Sequence, residues 1–323
     1  MFVVFMHCEF PGIMGTAVQA VSRFCVPFFF MVSGYFCFKP LAVSTELKTG
    51  KAMAGGGTLI GRKLKHIGKI TFWASVFYLA FVLFQQLCLH NQNFLLSERE
   101  IFNWLVFNEP KIIAGQYWFL YALLYAYAFY GILECLRLRK FAYILAAMMF
   151  VVYVVMAQGV HLADYHVPNM LYRNWLVEAF PFFMLGHWIH GNQDKISISN
   201  KTLILIIAVS TLLCWVERWF MGRDFGVNIV TMPQVFALFF YGVQNPSKHE
   251  GVIQRIGRDC SMLVYILHPA VWHSLEGIYN KFDWNDKMFA LYMMPILVLG
   301  VSILLAIVFN KLMDMVRQKP AIA

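Results

Sequence analysis

Apolar residues run in blocks of about twenty along almost the whole chain, the length a helix needs to cross a bilayer. The blocks fall near 18–38, 70–90, 116–136, 141–158, 176–191, 202–220, 227–243, 260–276 and 288–310. Met1–Cys8 has the same character and reads as the tail of one more span. The pattern predicts an all-α polytopic membrane bundle of about ten transmembrane helices. The first is expected to be truncated at its N-terminus, with the true start upstream of Met1. No polar stretch is long enough for a separate soluble domain, so a single membrane domain over 1–323 is expected.

Composition agrees. The 323 residues are 60% hydrophobic, 17% aromatic and only 13% charged, where a soluble domain carries about a quarter charged residues. The formal charge of +9 invites a nucleic-acid reading, but no basic cluster is interleaved with exposed aromatics, and no nucleic-acid partner is expected. The basic residues instead sort by side. With the connection after residue 38 placed in the cytoplasm, 18 of the 26 lysines and arginines fall on the cytoplasmic side. That positive-inside bias puts both termini in the cytoplasm. The seven cysteines fall in or beside apolar blocks without a Cys-x-x-Cys pair. They read as packed thiols, and no metal site is expected.

The chemistry-bearing residues interrupt this apolar background. Arg23 and Pro27 head the block Arg23–Phe36 and Ser33-Gly34 close it, a polar and small decoration typical of helices that wall a cavity or pack closely. His7 ends the first apolar run; an imidazole there suits proton transfer from a hydroxyl, the alternative being an ordinary interfacial histidine. Arg62, Lys63, Lys65 and Lys69 lie at the cytoplasmic mouth of a span, after a glycine triplet expected to be flexible. Arg62, Lys65 and Lys69 share a helical face and suit a polyanion such as a nucleotide-bearing thioester, unless they only anchor the span. On the outer side, Arg173-Asn174 precedes Glu178, an ionisable residue inside an apolar block. Their five-residue spacing gives no reason to expect a salt bridge. His268, before Pro269, is either a packing donor or a site residue. Outer aromatics including Trp104, Trp118 and Trp175 form an interfacial belt or stack on a sugar.

Several segments together are similar to the acyltransferase-3 family of integral membrane acyltransferases. Arg23–Phe36 resembles its second-span signature, and His7 falls where the family has a histidine closing its first span. Tyr117-Trp118-Phe119-Leu120, Phe182-Phe183-Met184-Leu185-Gly186 and Ser261 through Tyr265-Ile266-Leu267-His268 resemble later family motifs, in the same order. The resemblance implies transfer of an acyl group, commonly acetyl from acetyl-CoA, to a hydroxyl of a cell-surface glycan or lipid-linked precursor in a bacterial inner membrane. It implies His7 as the catalytic group, either as base on the acceptor hydroxyl or as a brief carrier of the acyl group, and the Arg62-Lys63-Leu64-Lys65 element as the donor site. Arg23, Ser33, Trp118, Arg173, Asn174, Glu178 and His268 are then expected at the acceptor or just behind it. Gln116 stands where relatives have a histidine. The chain also resembles the membrane domain of membrane-bound serine racemases, which keeps a transporter of a small polar solute such as serine, or a glycan flippase, as the alternative.

Overall fold

The computed structural model describes residues 2–38, 53–89, 97–111, 115–222, 225–246 and 251–318; these form helices joined by short connections, with no strand among them. In chain order the helices are α1 Phe2–His7, α2 Gly12–Ser22, α3 Cys25–Tyr35, α4 Met53–Leu89 and α5 Glu98–Phe107. Then come α6 Trp118–Cys135, α7 Arg139–Val154, α8 Val160–Leu162, α9 Asn169–Tyr172 and α10 Phe180–Asn192. The last four are α11 Asn200–Met221, α12 Thr231–Gln244, α13 Val252–Lys281 and α14 Met288–Gln318. Single π-helical turns follow α7 at Val155–Gly159 and precede α10 at Trp175–Ala179.

Among the described residues, six helical stretches are long and apolar enough to cross a membrane: Gly12–Tyr35, Leu59–Leu87, Gly115–Cys135, Arg139–Leu162, Asn200–Met221 and Met288–Val316. The chain is a multi-pass helical membrane protein. The blocks expected at 176–191, 227–243 and 260–276 are helical too. However, α12 has only 14 residues, and α13 opens with Arg255, Arg258 and Asp259. In α10 nearly every side chain from Phe180 to His187 is buried, so protein rather than lipid surrounds it. The long polar loop expected over 39–69 is shorter than the pattern suggested. Residues 39–52 lie outside the described residues, but α4 begins at Met53 and takes in the glycine triplet. Leucine and isoleucine after the triplet continue the helix, which packs on α6: Ile60 Cγ2 lies 3.2 Å from where a Cβ at Gly131 would stand.

Contacts divide the chain into two compact units, Met1–Ser22 with Asn245–Ala323, and Arg23–Gln244. In the first, α13 and α14 pack along each other around Cys260, Val264, Val271, Met294 and Val298, and Val4 and Cys8 join the same core. The Tyr279 hydroxyl donates to the Ala290 carbonyl at 3.1 Å, closing the α13–α14 hairpin. Gln19 of α2 donates to the Met6 carbonyl at 3.3 Å.

In the second unit the pairing of α3 with α10 is the tightest. A Cβ at Gly34 would stand 1.8 Å from the Phe183 carbonyl oxygen, and one at Gly186 would stand 1.9 Å from that of Met31. Each helix thus presents a glycine to the other's backbone, the close approach that small residues permit between membrane helices. Pro27 sits in the first turn of α3, where its missing N–H has no intrahelical partner to lose.

Candidate functional site

In the first unit, His268 is fully buried in α13 and its position follows from its neighbour. Pro269 has no N–H, so the Tyr265 carbonyl four residues back loses its helical donor. The His268 ring takes over that bond: Nδ1 lies 2.8 Å from the Tyr265 carbonyl and 3.1 Å from that of Val264. A carbonyl can only accept, so Nδ1 carries the hydrogen and a neutral ring keeps its lone pair on Nε2. Nε2 is buried and has no partner among the described residues. The His7 ring lies beside it, centroid to centroid 5.4 Å and tilted by 30°. The sequence placed both histidines as candidates; the structure brings them together, with Cys8 and Val264 in the packed core around them.

In the second unit, Asn108 does the positioning. Fully buried and left-handed at φ 50°, it donates from Nδ2 to the Trp118 carbonyl at 3.1 Å and accepts at Oδ1 from the Trp175 N–H at 2.8 Å. The start of α6 is thereby tied to the start of the π turn. Across this tie the Arg173 guanidinium carbon lies over the Trp118 ring, 4.6 Å from its centroid. Asn174 is the cap of the turn. Its Oδ1 accepts from the N–H groups of Leu176 and Val177, and its Nδ2 donates to the carbonyls of Met170 and Leu171. That leaves its amide little capacity for a ligand. Glu178 is 1% exposed, and its Oε2 has no partner among the described residues. Gly226 backs onto the same place: a Cβ there would come 3.0 Å from Glu178 Oε2, 3.1 Å from the Tyr153 hydroxyl and 3.5 Å from Arg173 Cδ. Arg23, at the break between α2 and α3, is half-buried and is the second cation after Arg173 to act electrostatically on Glu178. Ser33 is half-buried, and its carbonyl accepts from the Tyr127 hydroxyl at 3.5 Å.

The basic group lies well inside α4. Arg62, Lys65 and Lys69 are exposed and share one helical face. Lys63 does not: it turns toward α3, with Nζ 5.7 Å from the centroid of the Phe36 ring. With 37 residues, α4 is about 55 Å long, against a hydrocarbon core of about 30 Å, so the helix outruns the membrane and carries these cations beyond it.

Two features were not singled out from the sequence. A polar cleft of about 650 Å³ opens between α5 and α9, lined among others by Arg99, Glu100, Asn103, Lys111, His166 and Asn169. Deeper, His187 of α10 is fully buried between two tyrosines, Nε2 2.7 Å from the Tyr130 hydroxyl and Nδ1 2.7 Å from that of Tyr143. Tyr130 donates to Glu134 at 3.2 Å, and Arg139 forks onto Glu134 through Nε and Nη2. The tyrosines lie 57 and 44 residues from the histidine, so no local motif signals the network. Among the described residues no group of three or more His, Cys, Asp or Glu side chains is placed to hold a metal ion.

A family model described as an acyltransferase domain matches residues 1–311. The chain belongs to the acyltransferase-3 family. No curated protein and no solved structure matches it. The family match spans both units, and it makes the chain a membrane acyltransferase.

Proposed function

We propose that this membrane acyltransferase moves an acetyl group, or a related acyl group, from acyl-CoA to a hydroxyl of a cell-surface glycan or its lipid-linked precursor, in the inner membrane of a bacterium, both units serving one acyltransferase domain. His7 is the general base. It takes the proton of the acceptor hydroxyl as the oxygen attacks the thioester carbonyl; the C–S bond breaks and the protonated imidazole returns the proton to the departing CoA thiolate. The exposed Arg62–Lys65–Lys69 face holds the donor's phosphates, with Lys63 supporting α4 against Phe36. Trp118 and Arg173 bind the acceptor, Asn174 shapes their platform, and Arg23, Ser33 and Glu178 stand behind them.

The observation that supports the reading most is the pairing of His7 with His268. A second imidazole locked in one tautomer, its remaining nitrogen buried and unengaged, sits beside the first. Such an arrangement supplies a base and, beside it, a fixed hydrogen-bond acceptor for a second N–H or O–H donor, such as the imidazolium that forms when His7 takes the proton.

Purified protein, radiolabelled acetyl-CoA and a lipid-linked glycan fraction test the proposal. Label should enter the glycan and be lost in His7→Ala at unchanged expression. Absence of transfer and of acetyl-CoA binding, together with serine uptake into liposomes holding the protein, would establish the transporter reading instead.

A further inference from the structure

We propose that the acceptor presents an oxyanion, a carboxylate or a phosphate, to the edge of the Arg173 guanidinium. This rests on the acceptor role given above to Trp118 and Arg173 and adds the chemical class of the group they bind. The Arg173 guanidinium carbon already lies over the Trp118 ring, 4.6 Å from its centroid. A guanidinium held against an aromatic ring still has N–H groups for an oxyanion, which it grips through two parallel bonds. No such partner is built into the protein: Arg173 makes no hydrogen bond or ion pair with any described residue, and its Nε is sealed from solvent unpaired. Glu178, the nearest acidic candidate in sequence, does not fill the place. Its Oε2 is itself unpaired, and Gly226 backs onto the two side chains.

The oxyanion has two natural sources in a lipid-linked glycan, an acidic sugar within the glycan or the phosphate joining it to its lipid.

Binding to the protein in nanodiscs, followed by titration calorimetry with glucuronate, glucose 1-phosphate and glucose, tests this without an acyl donor. At least one anion should bind at least about tenfold more tightly than glucose, with affinity falling as salt rises. Arg173→Gln should remove that preference, and Arg173→Lys should keep only part of it, because an ammonium retains the charge but not the fork. Preference for glucuronate alone assigns the oxyanion to the glycan; preference for glucose 1-phosphate alone assigns it to the lipid linkage. Equal binding of glucose and both anions by the unmodified chain overturns the proposal whether or not the variants fold. So does an anion preference that survives Arg173→Gln, or Arg173-dependent binding of serine in place of the sugars. Loss of label transfer with anion binding intact would count against the acyl-transfer reading alone.

Discussion

His7 and His268 lie ring beside ring, 5.4 Å apart, although they come from opposite ends of the chain. The contact depends on Pro269. By depriving the Tyr265 carbonyl of its helical donor, the proline gives His268 Nδ1 a fixed partner and decides which of the two ring nitrogens remains open.

This division of labour between the nitrogens can be tested by choosing the amide that mimics each one. In His268→Asn the new amide nitrogen would stand near the place of Nδ1 and continue to donate to Tyr265, while the Nε2 function disappears. His268→Asn should therefore express and fold close to the unmodified chain yet lose acyl transfer by about ten- to hundredfold, the range of a lost charged or strongly polar contact. His268→Gln reaches toward the Nε2 position and should retain more activity than His268→Asn but lower thermal stability. Label transfer measured beside thermal denaturation distinguishes the two. Equal activity in the two variants would remove the Nε2 role.

The crossing of α3 and α10 depends on two glycines. A methyl on Gly34 or Gly186 would stand under 2 Å from a backbone oxygen of the opposite helix, and backbone cannot swing aside as a flexible side chain can. Gly34→Ala should destabilise by at least the roughly 1–3 kcal/mol typical of overpacking, and Gly186→Ala likewise. Gly242→Ala, where nothing lies within 4 Å of the added methyl, is the control. Thermal melting in detergent should show a clear drop for the first two and none for the third.

Arg62 and Lys65 are exposed while Lys63 packs over Phe36. Neutralising Arg62 and Lys65 together should raise KM for acyl-CoA about tenfold or more with little change in kcat, since charge-assisted bonds contribute about 1.5–3 kcal/mol each. Lys63→Met keeps the aliphatic stem over the ring and should leave KM within about threefold. Steady-state kinetics at two salt concentrations would check both, because screening should weaken donor binding in the unmodified chain more than in the double variant.

How far these relationships could be read in advance depended on their range along the chain. The α3 glycine was visible as a packing residue because Ser33-Gly34 interrupts an apolar run. The helical face of Arg62, Lys65 and Lys69 followed from spacing alone, since a helix repeats about every 3.6 residues. The glycine triplet misled: it looked like a break, yet α4 runs through it. Glu178 was visible as an ionisable residue in an apolar block, but the backbone that carries it was not. The five-residue step from Arg173 is indifferent on an α-helix, but the chain there forms a π turn, in which the Ala179 N–H reaches back five residues to the Asn174 carbonyl at 3.1 Å. Nothing local in the sequence announces that turn. Arg173 with Trp118, and His187 with its tyrosines, are contacts between distant segments that only the packing of helices brings together.

The His187 network carries the last prediction, because its polarity is fixed end to end. Glu134 can only accept, so the single hydrogen of the Tyr130 hydroxyl goes to it. The Tyr130 oxygen must then accept from His187 Nε2–H, and Nδ1 must accept from the Tyr143 hydroxyl. Three helices, α6, α7 and α10, meet in this chain of bonds, and each link stands in a medium where an unmade bond is expensive. His187→Phe keeps the ring volume but strands the Tyr143 hydroxyl and takes from the Tyr130 oxygen the donor it accepts from, and should cost about 1–3 kcal/mol for the hydroxyl left unpaired. Removing the hydroxyls as well, in Tyr130→Phe with Tyr143→Phe on the His187→Phe background, should recover part of the loss, since an all-apolar replacement strands nothing. The recovery is the decisive reading: a triple variant less stable than His187→Phe alone would mean that the tyrosine hydroxyls find other partners once the histidine is gone.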